Sequence, residues 1–194
     1  MVTTEQIKTL RERTGVSVMQ CKKALEEAGG NEEKALLLLK KKGAETAAKK
    51  ADRALGAGSI AAYIHAGSKV GAMVELAAET DFVSGNPEFK QLAYDIAMHV
   101  AASSPEYLKI ENVPNEAKEI AKDVFAKEVE GKPAALKDKI LSGKLESYFA
   151  ARVLLDQPFI KNPDTTIREF VESAIQKFGE KIEIVRFVRF EEGK

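Results

Sequence analysis

Apolar side chains recur at helical spacing through the first forty residues, and the period changes to two near residue 59. Thr3 with Gln6 reads as a capping box opening a first helix, whose buried edge carries Ile7 and Leu10. Thr14-Gly15-Val16 stops that helix. Ser17 with Gln20 reads as a second capping box, for a helix with inner face Val18, Cys21, Leu25 and Ala28. Gly29-Gly30 ends it, and Asn31 caps a third helix lined by Ala35, Leu36 and Leu39. Lys40 to Arg53 is rich in Ala and Lys and nearly free of large apolar groups, which predicts a solvated helical connector ending at Gly56 and Gly58.

Ile60, Ala62 and Ile64 then alternate with smaller or polar residues, Ala66-Gly67-Ser68-Lys69 turns the chain, and Val70, Ala72, Val74 and Leu76 alternate in return. This is the pattern of a β-hairpin with one face of the second strand buried. After Ala78 the alternation stops, and Ser84-Gly85-Asn86-Pro87 breaks the chain into a loop. Thr80-Asp81-Phe82 therefore sits on a strand-to-helix corner. Two readings of that corner stand side by side: Phe82 and Val83 fold back as core under the next helix, or an aromatic beside an acid forms a probe for another molecule.

Pro87 opens a helix through Phe89, Leu92, Ile96 and Val100 to about residue 103. Pro114 starts another, to about Glu130, carrying Ile120, Val124 and Phe125. Gly131-Lys132-Pro133 breaks it, and a further helix runs from Pro133 towards Leu145. Gln157-Pro158-Phe159 and Asn162-Pro163 mark a loop. Asp164 or Thr165 caps a helix through Ile167, Phe170, Val171 and Ile175, and Lys181 to Phe190 closes the chain as a β-branched and aromatic strand. The order predicts an α+β fold: a three-helix domain over 1–43, a connector over 44–56, and over 57–194 a core with an antiparallel three-stranded sheet and several helices.

At 194 residues the chain is long enough for one sizeable core and a small accessory unit. No apolar run approaches the roughly 18 residues of a membrane span, and the polar helical start is unlike a secretory signal. A single cysteine, Cys21, permits no internal disulfide and fits a reducing cytoplasm. Net charge is zero but divided: residues 1–53 hold twelve Lys/Arg and eight Asp/Glu, the remainder eighteen and twenty-two. So mild an asymmetry is not by itself a nucleic-acid signature.

Gly56-Ala57-Gly58 lacks the spacing of a phosphate-binding loop and precedes a hairpin, so no direct nucleotide binding is expected. His65 and His99 have no metal-ligand companions in sequence, Cys21 lies on an apolar helix face, and scattered carboxylates accompany any charge-rich helix. These residues predict no enzyme, no metal and no cofactor. Lys40-Lys41-Lys42 and Lys49-Lys50 read as a solvated helix surface; RNA binding through the basic amino-terminal bundle is the alternative function.

Leu10-Arg11-Glu12-Arg13-Thr14-Gly15 followed by Cys21-Lys22-Lys23-Ala24-Leu25 resembles one signature of the bacterial translation elongation factor Ts family. Glu75-Leu76 with Glu79-Thr80-Asp81-Phe82-Val83 resembles its second, and Leu155 to Phe159 and Arg186 to Phe190 are similar to later stretches. The resemblance covers essentially the whole chain, in order, in the short form with a single core. It implies a ubiquitin-associated-like (UBA-like) fold for the three helices and guanine-nucleotide exchange on the GTPase elongation factor Tu. It further implies that Arg11, Val18 and Met19 grip the partner's GTPase domain, and that Thr80, Asp81, Phe82 and Val83 dislodge its Mg²⁺. A cytoplasmic homodimer binding two partner molecules is also implied. Of the Val18-Met19 pair, Val18 is the one expected to belong to the bundle core.

Overall fold

The computed structural model describes residues 2–130 and 133–193; Gly131 and Lys132, where a helix break is expected, lie outside the described residues. Helices α1 (Thr4–Thr14), α2 (Val18–Glu27) and α3 (Glu32–Lys49) form the amino-terminal bundle. At Thr3 the capping box is complete: its hydroxyl oxygen accepts from the Gln6 amide at 3.2 Å, and the Gln6 side-chain oxygen accepts from the Thr3 amide at 3.0 Å. Gly15 ends α1 at φ +67°, a left-handed conformation that an L side chain resists. Leu10, Val16, Cys21, Leu25, Ala35 and Leu39 fill the space between the three helices.

Two expectations for the bundle need correction. The box at Ser17 is half formed: its hydroxyl accepts from the Gln20 amide, but the Gln20 side-chain oxygen is buried without a partner. Val18 is not core. The Gly15 turn tucks Val16 inward, the inner stripe of α2 then falls on Cys21, Ala24, Leu25 and Ala28, and Val18 is left 49% exposed.

Helix α3 runs from the bundle straight into the helical stretch expected as a connector. It continues unbroken to Lys49, and its second half lies along a later helix instead of standing in solvent. The hairpin follows as β1 (Ala57–Ile64) and β2 (Val70–Ala78), then a single helical turn α4 (Asp81–Ser84) and the long α5 (Pro87–Ser103). After α6 (Asn115–Glu128) comes α7 (Ala134–Ala150), which runs five residues past the expected end; Tyr148 packs edge-on against Phe125 of α6, centroids 5.4 Å apart.

The stretch expected to be loop contains a small ribbon, β3 (Pro158–Phe159) with β4 (Asn162–Thr166). Thr166 caps α8 (Ile167–Phe178) in a full box with Glu169, displacing the expected caps Asp164 and Thr165, and β5 (Ile182–Glu191) completes the described chain.

One antiparallel sheet holds β1, β2 and β5 with β2 central. Ala72, Val74, Leu76 and Ala78 point inward against Phe89, Leu92, Ile96 and Val100 of α5 and Ile167, Val171 and Ile175 of α8. A bulge opposite Glu75 and Leu76 leaves Val185 outside the ladder. The outer face is apolar over two rows, and the row holding Ile60 carries the Glu75–Arg186 ion pair at 2.6 Å. Register places Ile64, Gly71 and Phe190 in one row and Ala62, Met73 and Val188 in the next, and Ile60, Ile64, Met73, Val188 and Phe190 are all exposed. The alternation read at Ile60 to Ile64 is real, but it marks this outer face.

Candidate functional site

The corner between β2 and α5 divides two neighbouring apolar residues. Phe82 is 83% exposed, whereas Val83 is 4% exposed within the main core. In a helical turn successive side chains leave about 100° apart, so anchoring Val83 inward directs Phe82 outward. Neither single reading of the corner holds alone: Phe82 protrudes and Val83 is core, so Val83 presents no free surface to a partner. Asp81 is exposed beside Phe82 in the first turn of α4.

A four-residue helix does not persist unaided, because nucleation fixes several residues before bonds repay the entropy. Here it is capped and braced. The Thr80 hydroxyl oxygen accepts from the Val83 amide at 3.4 Å, and the Gly85 amide donates to the Asp81 carbonyl at 2.8 Å. Thr80 in turn donates its amide to Glu180 Oε2 at 3.0 Å and its hydroxyl to Glu180 Oε1 at 2.7 Å.

Glu79 faces the other way. It accepts from the Lys181 amide at 2.6 Å and from the Arg53 guanidinium at 3.0 and 3.2 Å. The Lys181 bond, helped by Arg53 and opposed by some burial, holds the Glu79 carboxyl below the ordinary carboxylate range. Lys181 Nζ donates to the Ala51 and Arg53 carbonyls at 2.7 and 3.2 Å, and Lys50 Nζ to the Gly179 carbonyl at 2.6 Å. The chain just after α3, the foot of α4 and the α8–β5 turn are thus joined at one junction. Glu180 was not legible as part of it, since it lies a hundred residues from Thr80 in sequence.

Arg11, Val18 and Met19 flank the Gly15 turn, and all three are exposed, Met19 by 75%. The structure therefore places the two expected site groups on different units, the bundle and the corner. Between those units, Lys40 pairs with Glu169 at 3.0 Å and donates to the Asp164 carbonyl at 2.7 Å, while Ser173 Oγ donates to the Thr14 carbonyl at 2.6 Å. In sequence Lys40 and Lys50 read as a solvated surface; both instead fasten α3 to the core.

A cleft of about 350 Å³ lies between bundle and core, lined by Val16, Leu36, Leu39, Phe159, Phe170 and Glu172 among others. None of the seven expected site residues borders it. Arg11, Val18, Met19, Asp81 and Phe82 offer exposed surface and no cavity, which suits reading a protein surface better than holding a small molecule. Burial raises the Cys21 thiol above its ordinary value, consistent with a packing role. Among the described residues no group of three or more His, Cys, Asp or Glu is placed to hold a metal ion, and no helix is long and apolar enough to cross a membrane.

The sequence model of the family described as Elongation factor TS matches residues 7–194. A protein named Elongation factor Ts from Carboxydothermus hydrogenoformans is 49% identical over 196 residues, spanning 100% of this chain and 90% of the relative. One of the same name from Thermodesulfovibrio yellowstonii is 48% identical, spanning 100% of this chain and 97% of the relative. A third, from Coprothermobacter proteolyticus, is 44% identical, covering 97% of this chain and 96% of its own length. With a match of this extent, and with the corner motif and the bundle turn both built as exposed features, the chain belongs to the elongation factor Ts family.

Proposed function

We propose that this protein is a guanine-nucleotide exchange factor for the GTPase elongation factor Tu in protein synthesis. The observation that carries the reading is the division at the corner: an exposed Phe82 standing on a turn whose next residue is locked into the core. Arg11, Val18 and Met19 grip the partner's GTPase domain, with Met19 adapting to its contours. Phe82, flanked by Asp81, enters the partner near its nucleotide site.

GDP is held in such a GTPase by backbone amides, a lysine and Mg²⁺ acting on the phosphates. A wedge that displaces the segment carrying these groups weakens metal and phosphate contacts together. No covalent bond is made or broken on this chain; the factor stabilises the nucleotide-free partner until GTP binds. Coupling is reciprocal, so GDP expels the factor by the factor by which the factor expels GDP. Weakening GDP 10⁴-fold takes roughly 5.5 kcal/mol of differential binding. Burying one exposed Phe supplies about 1.5–3 kcal/mol, so the remainder comes from the grip and the surrounding interface. Two separated contact groups fit that requirement.

The outer face of the sheet supports a homodimer. Ile64, Met73, Val188 and Phe190 form an apolar patch, edged by Ile60 and the Glu75–Arg186 ion pair, of the kind that marks an interface. Pairing two such faces leaves both corners free for two partner molecules.

The test is release of a fluorescent GDP from elongation factor Tu in a stopped-flow instrument. The wild-type chain accelerates release. Phe82→Ala still forms the complex but accelerates release at least tenfold less; wild-type release by that variant overturns the wedge, and no acceleration by the wild-type chain overturns the function.

A further inference from the structure

The junction beneath α4 contains two carboxylates that cross. Glu79, just before the corner, accepts the Lys181 amide; Glu180, just before Lys181, accepts the Thr80 amide and hydroxyl. Each segment's acid satisfies the other segment's backbone donor, so the α8–β5 turn and the corner hold one another in a fixed register.

Glu180 also sets the direction of the Thr80 hydroxyl. A hydroxyl has one proton and two lone pairs. With its proton committed to Glu180 Oε1 at 2.7 Å, its oxygen is left to accept the Val83 amide, which is the amino-terminal cap of α4. Without Glu180 the Thr80 hydroxyl turns among solvent partners, and the capped turn that aims Phe82 competes with frayed forms. Asp81 does not do this job: its backbone carbonyl closes the turn at Gly85, and its side chain is exposed.

We infer that Glu180 is a positioning residue for nucleotide exchange, acting through Thr80 to keep Phe82 in the orientation that enters the partner. The inference rests on the proposed role of Phe82 as a wedge. Glu180 itself need not touch elongation factor Tu or its nucleotide.

The experiment is a double-mutant cycle on the full chain, following release of fluorescent GDP from elongation factor Tu against factor concentration. Because the clamp is open to solvent, Glu180→Ala is expected to lower the saturating release rate about fivefold, with half-saturation changed less than about twofold. Glu180→Gln, which keeps an oxygen acceptor, falls between wild type and Ala. In a Phe82→Ala background, Glu180→Ala changes nothing further, because the side chain it aims is gone.

Amide hydrogen exchange on the free chain supplies a readout independent of the partner. Glu180→Ala accelerates exchange at Thr80 and Val83 while leaving Ile96 and Val100 protected. Slow release by Phe82→Ala together with wild-type release by Glu180→Ala overturns the inference and spares the wedge. Multiplying effects in the double variant also overturn it, since they place Glu180 on a separate route. Wild-type release by Phe82→Ala overturns the wedge and this inference with it.

Discussion

Replacing Gly43 by Ala is expected to stabilise the protein. Gly43 is buried in the middle of α3, where that helix crosses α8. A methyl built on it meets the Gln176 side-chain oxygen, the Glu172 backbone carbon and the Glu172 Cβ, each at 3.6 Å, which is ordinary van der Waals contact. The substitution therefore needs no movement of either helix. It removes the penalty of glycine in a helix interior, about 0.8–1.0 kcal/mol, and buries a methyl group worth up to about 0.8 kcal/mol. A net gain of about 1 kcal/mol raises Tm by about 2–4 °C in a chain of this size. Thermal unfolding followed by circular dichroism, with guanidinium unfolding beside it, measures the effect. Gly43→Leu supplies the contrast: its branch runs into the Glu172 backbone and forces α3 away from α8, destabilising by about 1–3 kcal/mol. A lowered Tm for Gly43→Ala would refute the reasoning, because it would mean the helices cross more closely than a methyl allows.

Val83→Ala removes two buried methyl groups from the main core and is expected to cost about 2 kcal/mol, lowering Tm by about 4–8 °C; Phe82→Ala, on the exposed side of the same turn, is expected to shift stability by less than about 0.5 kcal/mol, and equal losses would show that the two side chains are not divided as described. His99 is fully buried: its Nδ1 accepts from the Ile160 amide at 3.3 Å, and its Nε2 pairs with the Gln157 side-chain oxygen at 2.9 Å. Burial pushes its pKa below the ordinary 6.5, against the opposing Gln157 bond. The folded state therefore keeps His99 neutral while the unfolded chain takes up a proton first, so its contribution is complete above about pH 6.5 and is lost as pH falls below it, by at most about 1.4 kcal/mol per pH unit. His99→Gln is expected to lose less stability than the parent chain between pH 7 and 5.5, and an equal pH dependence of the two unfolding midpoints would contradict this. The homodimer proposed above predicts that the parent chain sediments as a dimer and that Phe190→Glu with Ile64→Glu, on the outer sheet face, sediments as a monomer; a doubly substituted chain that still sediments as a dimer removes the sheet face from the assembly.

Local chemistry made most of the elements readable. Thr3, Asn31, Pro87 and Gly15 act within a few residues of themselves, and each sits where its capping or turn role requires. What sequence could not resolve depends on residues distant along the chain. Thr166 caps α8 in place of its neighbours because β4 pairs with Pro158 and Phe159 and carries the chain to that point, and Pro158 and Pro163 conceal the ribbon since proline disfavours strands. Lys40 looked solvated because Glu169 and Asp164, which hold it, lie more than a hundred residues away. The corner was legible as a break in alternation, but alternation alone cannot say which of two adjacent apolar residues turns outward. That is decided by the core that receives Val83. The outer sheet face misleads for the opposite reason: Ile60 and Ile64 carry the periodicity of a buried strand face, while the side that α4 and α5 approach carries Ala57, Ser59, Ala61 and Tyr63.

The unbroken course of α3 makes the protein a gauge. Its first turns carry the bundle, its later turns lie on α8, and the chain just beyond it enters the junction at the foot of Phe82. Eighteen helical residues span about 27 Å, and a hydrogen-bonded helix changes length only in discrete steps. One inserted residue would add about 1.5 Å and turn the bundle by about 100°, carrying Arg11, Val18 and Met19 round with it. The separation between the bundle and the corner therefore cannot drift gradually as sequences diverge. Substitutions can vary the side chains at each end, while the interval between the ends is counted in whole residues.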